Sequence, residues 1–265
     1  MQVWERISLR AHKLSADYPE SKRVLNFISD LAEYQGKLYE KFSVLDGIKM
    51  HTLKERPPVN LLAEEFNSYV LAIIKIAPAL MKSWAYKIKN STSSEHMTFI
   101  ISYWEGKFSS HIGSNPQLRF LAKSFLQPYA VLLRERGQGV QPAKVSTFCG
   151  DCSHKPSAGI VRSGKRLLCC SLCLAEWNYD GLCVSCRQNK KEKLVEVPDP
   201  KLDYLTFYKC FTCNKYLKFF DLDKNPDAVV SADEIIKTPA VSSLEQDGFY
   251  PFEMNISEAM NKPQF

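Results

Sequence analysis

The sequence has no long apolar run. Its most apolar segment, Tyr69 to Met81, is interrupted by Lys75 and Pro78, and it falls well short of the roughly 20 residues that a membrane span requires. At the N-terminus, Met1-Gln2-Val3-Trp4-Glu5-Arg6 places charge where a signal peptide would need its apolar stretch. A cytoplasmic protein with no membrane partner is therefore expected. Catalytic signatures are missing as well: there is no glycine-rich phosphate loop, no nucleophile elbow and no His-Glu-x-x-His. A non-enzyme is expected on that ground. Heptads and low-complexity tracts are also absent. Cysteine is missing from residues 1–148 and again after residue 213.

With 265 residues, 45% hydrophobic and 24% charged, the chain can bury a core of ordinary size, and wholesale disorder is excluded. Its net charge of +6 is unevenly spread. Residues 1–142 carry 19 Lys+Arg against 13 Asp+Glu, residues 143–220 carry 13 against 7, and residues 221–265 carry 3 against 9. An excess this mild reads as solvated lysine and arginine more readily than as a nucleic-acid surface.

The cysteine-free first segment has helical patterning. From Glu20 to Phe42, the residues Val24, Ile28, Leu31 and Leu38 form one stripe, with Gln35 as a polar gap. Pro57-Pro58 ends what precedes it, and Asn60 is placed to cap a helix carrying Leu62, Phe66, Tyr69, Val70, Ile73 and Ile74 as far as Pro78. Thr92-Ser93-Ser94-Glu95 has capping-box form. Asn115-Pro116 opens a helix from Leu118 to Arg136 with a bend expected at Pro128, and Gly137 and Gly139 begin a linker through Pro142. A bundle of five or six helices follows.

From Cys149 onward the pattern is short β segments. Ile160–Arg162 and Arg166–Leu168 flank Ser163-Gly164, a hairpin signal. Leu194–Val197 and Tyr204–Tyr208 flank Pro198-Asp199-Pro200, a second one, and Lys215 to Leu222 makes a further strand. The tail after Asp223 is acidic, with weak helical patterning.

All nine cysteines fall between 149 and 213, and eight of them form Cys-x-x-Cys pairs: Cys149/Cys152, Cys170/Cys173, Cys183/Cys186 and Cys210/Cys213. Chance would give on the order of 0.3 such pairs. The gaps between pairs are 17, 9 and 23 residues. Seventeen suits a ribbon in which a hairpin brings the second knuckle opposite the first, and twenty-three leaves room for another hairpin. Nine suits a connector. Consecutive pairing into two four-sulfur sites follows. Disulfides would need an oxidising compartment, and thioredoxin-like pairs need a reactive cysteine opening a helix. A closed four-sulfur site offers no coordination position for hydrolytic chemistry. Cys169 is left over beside Cys170, as a small buried hydrophobe or a free thiol near the first site. His154 is a weak alternative ligand. Knuckles commonly need a left-handed residue after the second cysteine. Here those positions hold Ser153, Leu174, Arg187 and Asn214, of which only Asn adopts it easily.

Cys170-Ser171-Leu172-Cys173-Leu174-Ala175-Glu176-Trp177, preceded by Gly159-Ile160-Val161-Arg162, resembles the formate dehydrogenase accessory protein family (FdhE). The resemblance continues through Cys183-Val184-Ser185-Cys186 and the last knuckle with Tyr216-Leu217-Lys218 behind it, then Asn225-Pro226, Ala232-Asp233-Glu234 and Gly248-Phe249. Upstream, Arg10 to Gln35 and Leu126-Gln127-Pro128-Tyr129 are similar to the family's helical region. The chain departs from the family at Cys169, where histidine is usual, and in lacking glycine after several knuckles. The resemblance implies a cytoplasmic factor required for active respiratory formate dehydrogenase, binding its catalytic subunit before export. It also implies iron at the knuckles, although tetrathiolate sites hold zinc too.

The expected fold is α+β: a helical domain over 1–142, metal ribbons of rubredoxin or zinc-ribbon type over 143–181 and 182–223, and an acidic segment over 224–265. The expected ligands of two metal ions, iron or zinc, are Cys149, Cys152, Cys170, Cys173, Cys183, Cys186, Cys210 and Cys213. Trp177, Tyr179, Phe207 and Tyr208 are candidates for a docking surface or for core. Two other functions compete. A nucleic-acid-binding zinc ribbon would use Lys190-Lys191-Glu192-Lys193, a brief run opposed by the acidic tail, so nucleic acid is not the expected partner. A rubredoxin-like redox protein would show visible iron–thiolate absorption.

Overall fold

The computed structural model describes residues 2–45, 51–107, 115–138, 146–190 and 192–253, in two compact units, residues 2–138 and 146–253. The linker expected from Gly139 to Pro142, Lys191 of the basic run, and residues 254–265 of the acidic segment lie outside the described residues.

The first unit is helical: α1 (Val3–Asp17), α2 (Lys22–Val44), α3 (Val59–Ile76), α4 (Ala79–Lys89), α5 (Ser93–Trp104) and α6 (Pro116–Leu133). Local chemistry sets most of the boundaries. Glu95 N–H donates to Thr92 Oγ1 at 3.3 Å while Thr92 N–H donates to the Glu95 carboxylate at 2.7 Å, a reciprocal capping box. Asn115 Oδ1 accepts from Leu118 N–H at 2.9 Å, with Pro116 in the first turn. Pro78 separates α3 from α4. Asn60 does not cap α3. The helix starts at Val59, two residues earlier, because the Pro58 carbonyl accepts from Leu61 and Leu62, leaving Asn60 inside the first turn. Among the described residues no helix is long and apolar enough to cross a membrane.

Helix α6 lies at the centre of this unit. Every residue from Ser124 to Leu133 is buried, which its Phe-Leu-Gln-Pro-Tyr-Ala-Val-Leu-Leu run dictates, since an all-round apolar helix has no solvent face. Phe125 meets Phe66 at 5.0 Å and Tyr69 at 5.4 Å between ring centres. Pro128 sits inside α6 without ending it. A proline there leaves the carbonyl four residues back, that of Ser124, without its helical donor. Gln35 supplies the replacement: its Nε2 donates to Ser124 O at 2.7 Å. The polar gap in the α2 stripe is thus the partner of the proline in α6. Gln35→Leu should cost about 1–3 kcal/mol, read as a lowered denaturation midpoint, and an unchanged midpoint would remove this account of Gln35.

The second unit is built on a seven-stranded sheet: β1 (Pro156–Arg162), β2 (Lys165–Cys170), β3 (Glu176–Asn178), β4 (Leu194–Pro198), β5 (Leu205–Cys210), β6 (Lys215–Asp221) and β7 (Tyr250–Pro251), with short helices α7 (Val230–Asp233) and α8 (Pro239–Gln246). Its order is β3-β2-β1-β6-β5-β4, with β7 beside β6. Ser163 and Gly164 both have positive φ, 51° and 69°, the two-residue turn that a tight hairpin needs. Asp223 clamps this turn by accepting from Ser163 N–H at 2.7 Å and Gly164 N–H at 2.8 Å. Those two N–H groups hold its carboxyl below the usual range.

The repeat is larger than the knuckle. Each ribbon runs knuckle, strand, strand, knuckle, strand, and the two are joined where β1 of the first pairs in parallel with β6 of the second, Gly159 opposite Phe219. The sheet is also strongly curled. Arg166 on β2 reaches Glu196 on β4 at 3.1 Å, although four strand steps separate them; in a flat sheet those steps would span about 19 Å. Tyr179, Tyr208 and Phe219 fill the inside of the bend, with ring centres 4.6–6.0 Å apart.

Candidate metal centres

All four knuckles have one geometry. The N–H of the first cysteine donates five residues ahead, Cys149 to His154 O at 2.8 Å, Cys170 to Ala175 O at 2.8 Å and Cys183 to Gln188 O at 2.9 Å. Cys210 stands opposite Lys215 in the β5–β6 ladder, five residues on as well. The residue after each second cysteine is left-handed: Ser153 at φ 61°, Leu174 at 58°, Arg187 at 61° and Asn214 at 53°. For an L-residue this costs about 1–2 kcal/mol, so the chain holds strained backbone at four places where only the knuckle needs it.

The eight cysteines come together as two groups, Cys149, Cys152, Cys170 and Cys173 in one, and Cys183, Cys186, Cys210 and Cys213 in the other. Within each group all sulfurs lie within 4.8 Å of one another. Across knuckles, Cys149 and Cys173 are 3.6 Å apart and Cys152 and Cys170 3.3 Å. Cys183–Cys213 and Cys186–Cys210 are both 3.6 Å. These sulfurs are not bonded to one another. A tetrahedral ion with metal–sulfur bonds of about 2.3 Å needs sulfurs about 3.8 Å apart, so both donor sets fit such an ion. Leu172 N–H also points at Cys170 Sγ at 3.4 Å, the backbone support expected of a thiolate ligand. The groups can therefore hold two metal ions of the kind that accept four sulfurs, a class that includes zinc and iron.

The electrostatics agree. Without a cation, neighbouring sulfurs in the first group share protons: hydrogen bonding from Cys152 draws the Cys149 thiol far down, while the bond to Cys149 pushes Cys152 and Cys173 up. In the second group, burial raises Cys183 and Cys213. Burial works to raise Cys210 too, but the N–H groups of Thr212 and Cys213 overcome it and hold that thiol at about 7. A dication stabilises all four thiolates at once.

Cys169 is in neither group. It is buried on β2 opposite Glu176, with its sulfur turned toward the Cys170 carbonyl at 3.9 Å. His154 is not in a group either; its Nδ1 lies 3.0 Å from Cys152 O. Cys169→Ala should leave metal content unchanged in elemental analysis, whereas loss of one equivalent would make Cys169 a ligand. The aromatic candidates divide. Trp177, Phe207 and Tyr208 are buried in the sheet and supply core, while Tyr179 is half-buried in the bend. Two aromatics that periodicity gives no reason to single out stand exposed beside the second group: Phe211, between Cys210 and Cys213, and Tyr250, whose N–H donates to Asn214 O.

A helical unit followed by a curled sheet with two tetracysteine groups defines a tetracysteine ribbon protein of α+β class. Its relatives are the FdhE proteins that the motifs resemble. The chain is 27% identical over 261 residues to the FdhE homolog of Aquifex aeolicus, covering 91% of this chain and 90% of that one. It is 24% identical to the homolog of Shewanella baltica strain OS195, covering 76% and 71%. Over a shorter stretch, 31% of this chain and 28% of the relative, it is 39% identical to the homolog of Stutzerimonas stutzeri. The crystal structure of the FdhE protein from Pseudomonas aeruginosa matches the fold with a TM-score of 0.67 at 20% identity, over 96% of this chain and 95% of that one. No protein-family model matches the chain.

Proposed function

We propose that this chain is a cytoplasmic accessory factor required for active respiratory formate dehydrogenase, that it binds that enzyme's catalytic subunit before export, and that it is not itself an enzyme. The observation that carries the reading is likeness to FdhE homologs over nine-tenths of the chain, together with tetracysteine groups built from the knuckles on which the family resemblance rests. In this reading Cys149, Cys152, Cys170 and Cys173 ligate one ion, and Cys183, Cys186, Cys210 and Cys213 the other, each iron or zinc. A bound ion supplies a cross-link between two knuckles and, when it is iron, a one-electron couple. The protein's own contribution is a helical domain over 1–142 and two ribbons, 143–181 and 182–223, working as one sheet, followed by the acidic segment 224–265. Phe211 and Tyr250 are 47% and 56% exposed, and large aromatics on a surface are the residues that binding interfaces favour. We assign them to client contact.

The test is a pull-down of the tagged chain from its source organism. A formate dehydrogenase catalytic subunit is the expected partner, reduced in Phe211→Ala. Deleting the gene should abolish respiratory formate dehydrogenase activity while leaving the subunit's transcript intact. Recovery of RNA or a polymerase subunit with no formate dehydrogenase would defeat the reading and favour a nucleic-acid-binding ribbon.

A further inference from the structure

The two cysteine groups share a loop geometry but differ in exposure and anchorage. All four cysteines of the first group are buried. In the second, Cys183 and Cys210 are buried, Cys213 is half-buried and Cys186 is exposed. The first group also has an extra tether. Each group has a backbone bond bridging its two knuckles, Ser171 N–H to Lys155 O at 3.0 Å in the first and Phe211 N–H to Lys193 O at 2.8 Å in the second. Only in the first does a buried tryptophan add to it, Trp177 Nε1 donating to Ser146 O at 2.8 Å. Like the first knuckle, in 146–155, the third lies outside any strand among the described residues, in the connection 179–193. Surface contacts hold it: the Arg187–Asp180 ion pair, Leu182 N–H to Asp180 Oδ1 at 3.0 Å, and Gln188 Nε2 to Thr212 Oγ1 at 3.1 Å. Exposed contacts of this kind contribute about 1 kcal/mol or less each. A shallow cleft opens beside the same group, with Cys183, Tyr179, Leu194, Tyr208, Tyr216 and Phe252 among its walls.

From these differences we propose that the second group is an exchangeable metal site, which trades its ion with small soluble chelating ligands, while the first group retains its ion as part of the fold. The inference rests on the reading of the eight cysteines as ligands of two metal ions. Exchange at a tetrathiolate requires an incoming donor to bond to the ion as a protein sulfur leaves it. Cys186 can leave into water, carried by a loop whose opening breaks no strand pairing. A sulfur leaving the first ion would remain a buried thiolate with no cation, and its escape would require uncovering a site whose four cysteines are all buried and beside which Trp177 is tied to Ser146. Openings that uncover buried groups cost more than openings of exposed loops.

The full chain, loaded with two equivalents of zinc, would be mixed with excess of a colour-forming zinc chelator at neutral pH. Release is expected in two phases of equal size, the faster at least about ten-fold faster, an activation difference of about 1.4 kcal/mol or more. Cys186→Ser should remove the fast phase and keep the slow one. Alkylation of the zinc-loaded wild-type chain with iodoacetamide, mapped by peptide mass, should modify Cys186 and Cys213 before Cys149, Cys152, Cys170 or Cys173. That arm needs no variant to fold. A single phase for both ions, or alkylation of the first group ahead of the second, overturns the inference. Uptake of fewer than two zinc ions before any chelator is added overturns the metal-ligand reading itself, and this inference with it.

Discussion

Cys149→Ser and Cys170→Ser should each lower the metal content from two ions to one, and both should empty the same site. The reason is geometric: Cys149 shares a group with Cys170 and Cys173 on the other knuckle and with no cysteine beyond 173. The effect on folding should be larger than the loss of one ligand suggests. A structural tetrathiolate ion contributes about 10–16 kcal/mol of apparent binding energy in small peptides, comparable with the roughly 5–15 kcal/mol that separates most folded domains from their unfolded chains. Removing it leaves three crowded sulfurs on strained loops with nothing to offset the strain. Elemental analysis of each variant, with alkylation of Cys210 as a reporter for the second site, makes the measurement. If Cys149→Ser exposes Cys210 and spares Cys173, the pairing is wrong.

The second large effect is expected at Gly159, where the ribbons join. A Cβ built there would lie 2.2 Å from Phe219 Cε1, 2.3 Å from Cζ and 2.5 Å from Cδ1. The ring cannot easily yield, because Tyr208 and Tyr179 pack against it at 4.6 and 5.1 Å. Gly159→Ala must therefore part β1 from β6 or break the aromatic cluster, at a cost of about 1–3 kcal/mol or more. Gly36 in α2 is the control. Its added Cβ would meet Trp4 Cβ at 3.4 Å, ordinary contact, so Gly36→Ala should be neutral or stabilising by about 0.5–1 kcal/mol, the helix-propensity difference. Denaturation of the two variants side by side decides it; equal stabilities would mean that the β1–β6 joint is not as tight as the distances say.

Local signals carried much of this structure. The knuckle gaps alone imply the observed grouping, because a hairpin spans seventeen residues comfortably and nine cannot. The Ser163-Gly164 turn and the Thr92 and Asn115 caps are short-range chemistry, and each stands where its residues imply. Asn60 did not, because a preceding Pro58 with fixed φ had already begun the helix. Gln35 reads in the sequence as a gap in a stripe; its reason lies 93 residues away at Pro128, beyond any window of periodicity. The curl that brings Arg166 to Glu196, and the parallel joint between β1 and β6, are likewise set by long-range register. Trp177, Phe207 and Tyr208 show the same limit from the other side: aromatics in a basic segment look alike whether they face a partner or a bend in their own sheet.

The parallel joint has a consequence for the order of events on the ribosome. Gly159 pairs with Phe219, so β1 is complete sixty residues before its neighbour exists, roughly 3–12 s at ordinary rates of about 5–20 residues per second. Through that interval Ile160 and Val161 present an unpaired edge, the kind on which nascent chains aggregate. The four cysteines of the first group are all made by residue 173. An ion captured there would hold the β1–β2 hairpin in shape while it waits, and a cell short of metal during translation would accumulate aggregated chains even if metal were restored afterwards.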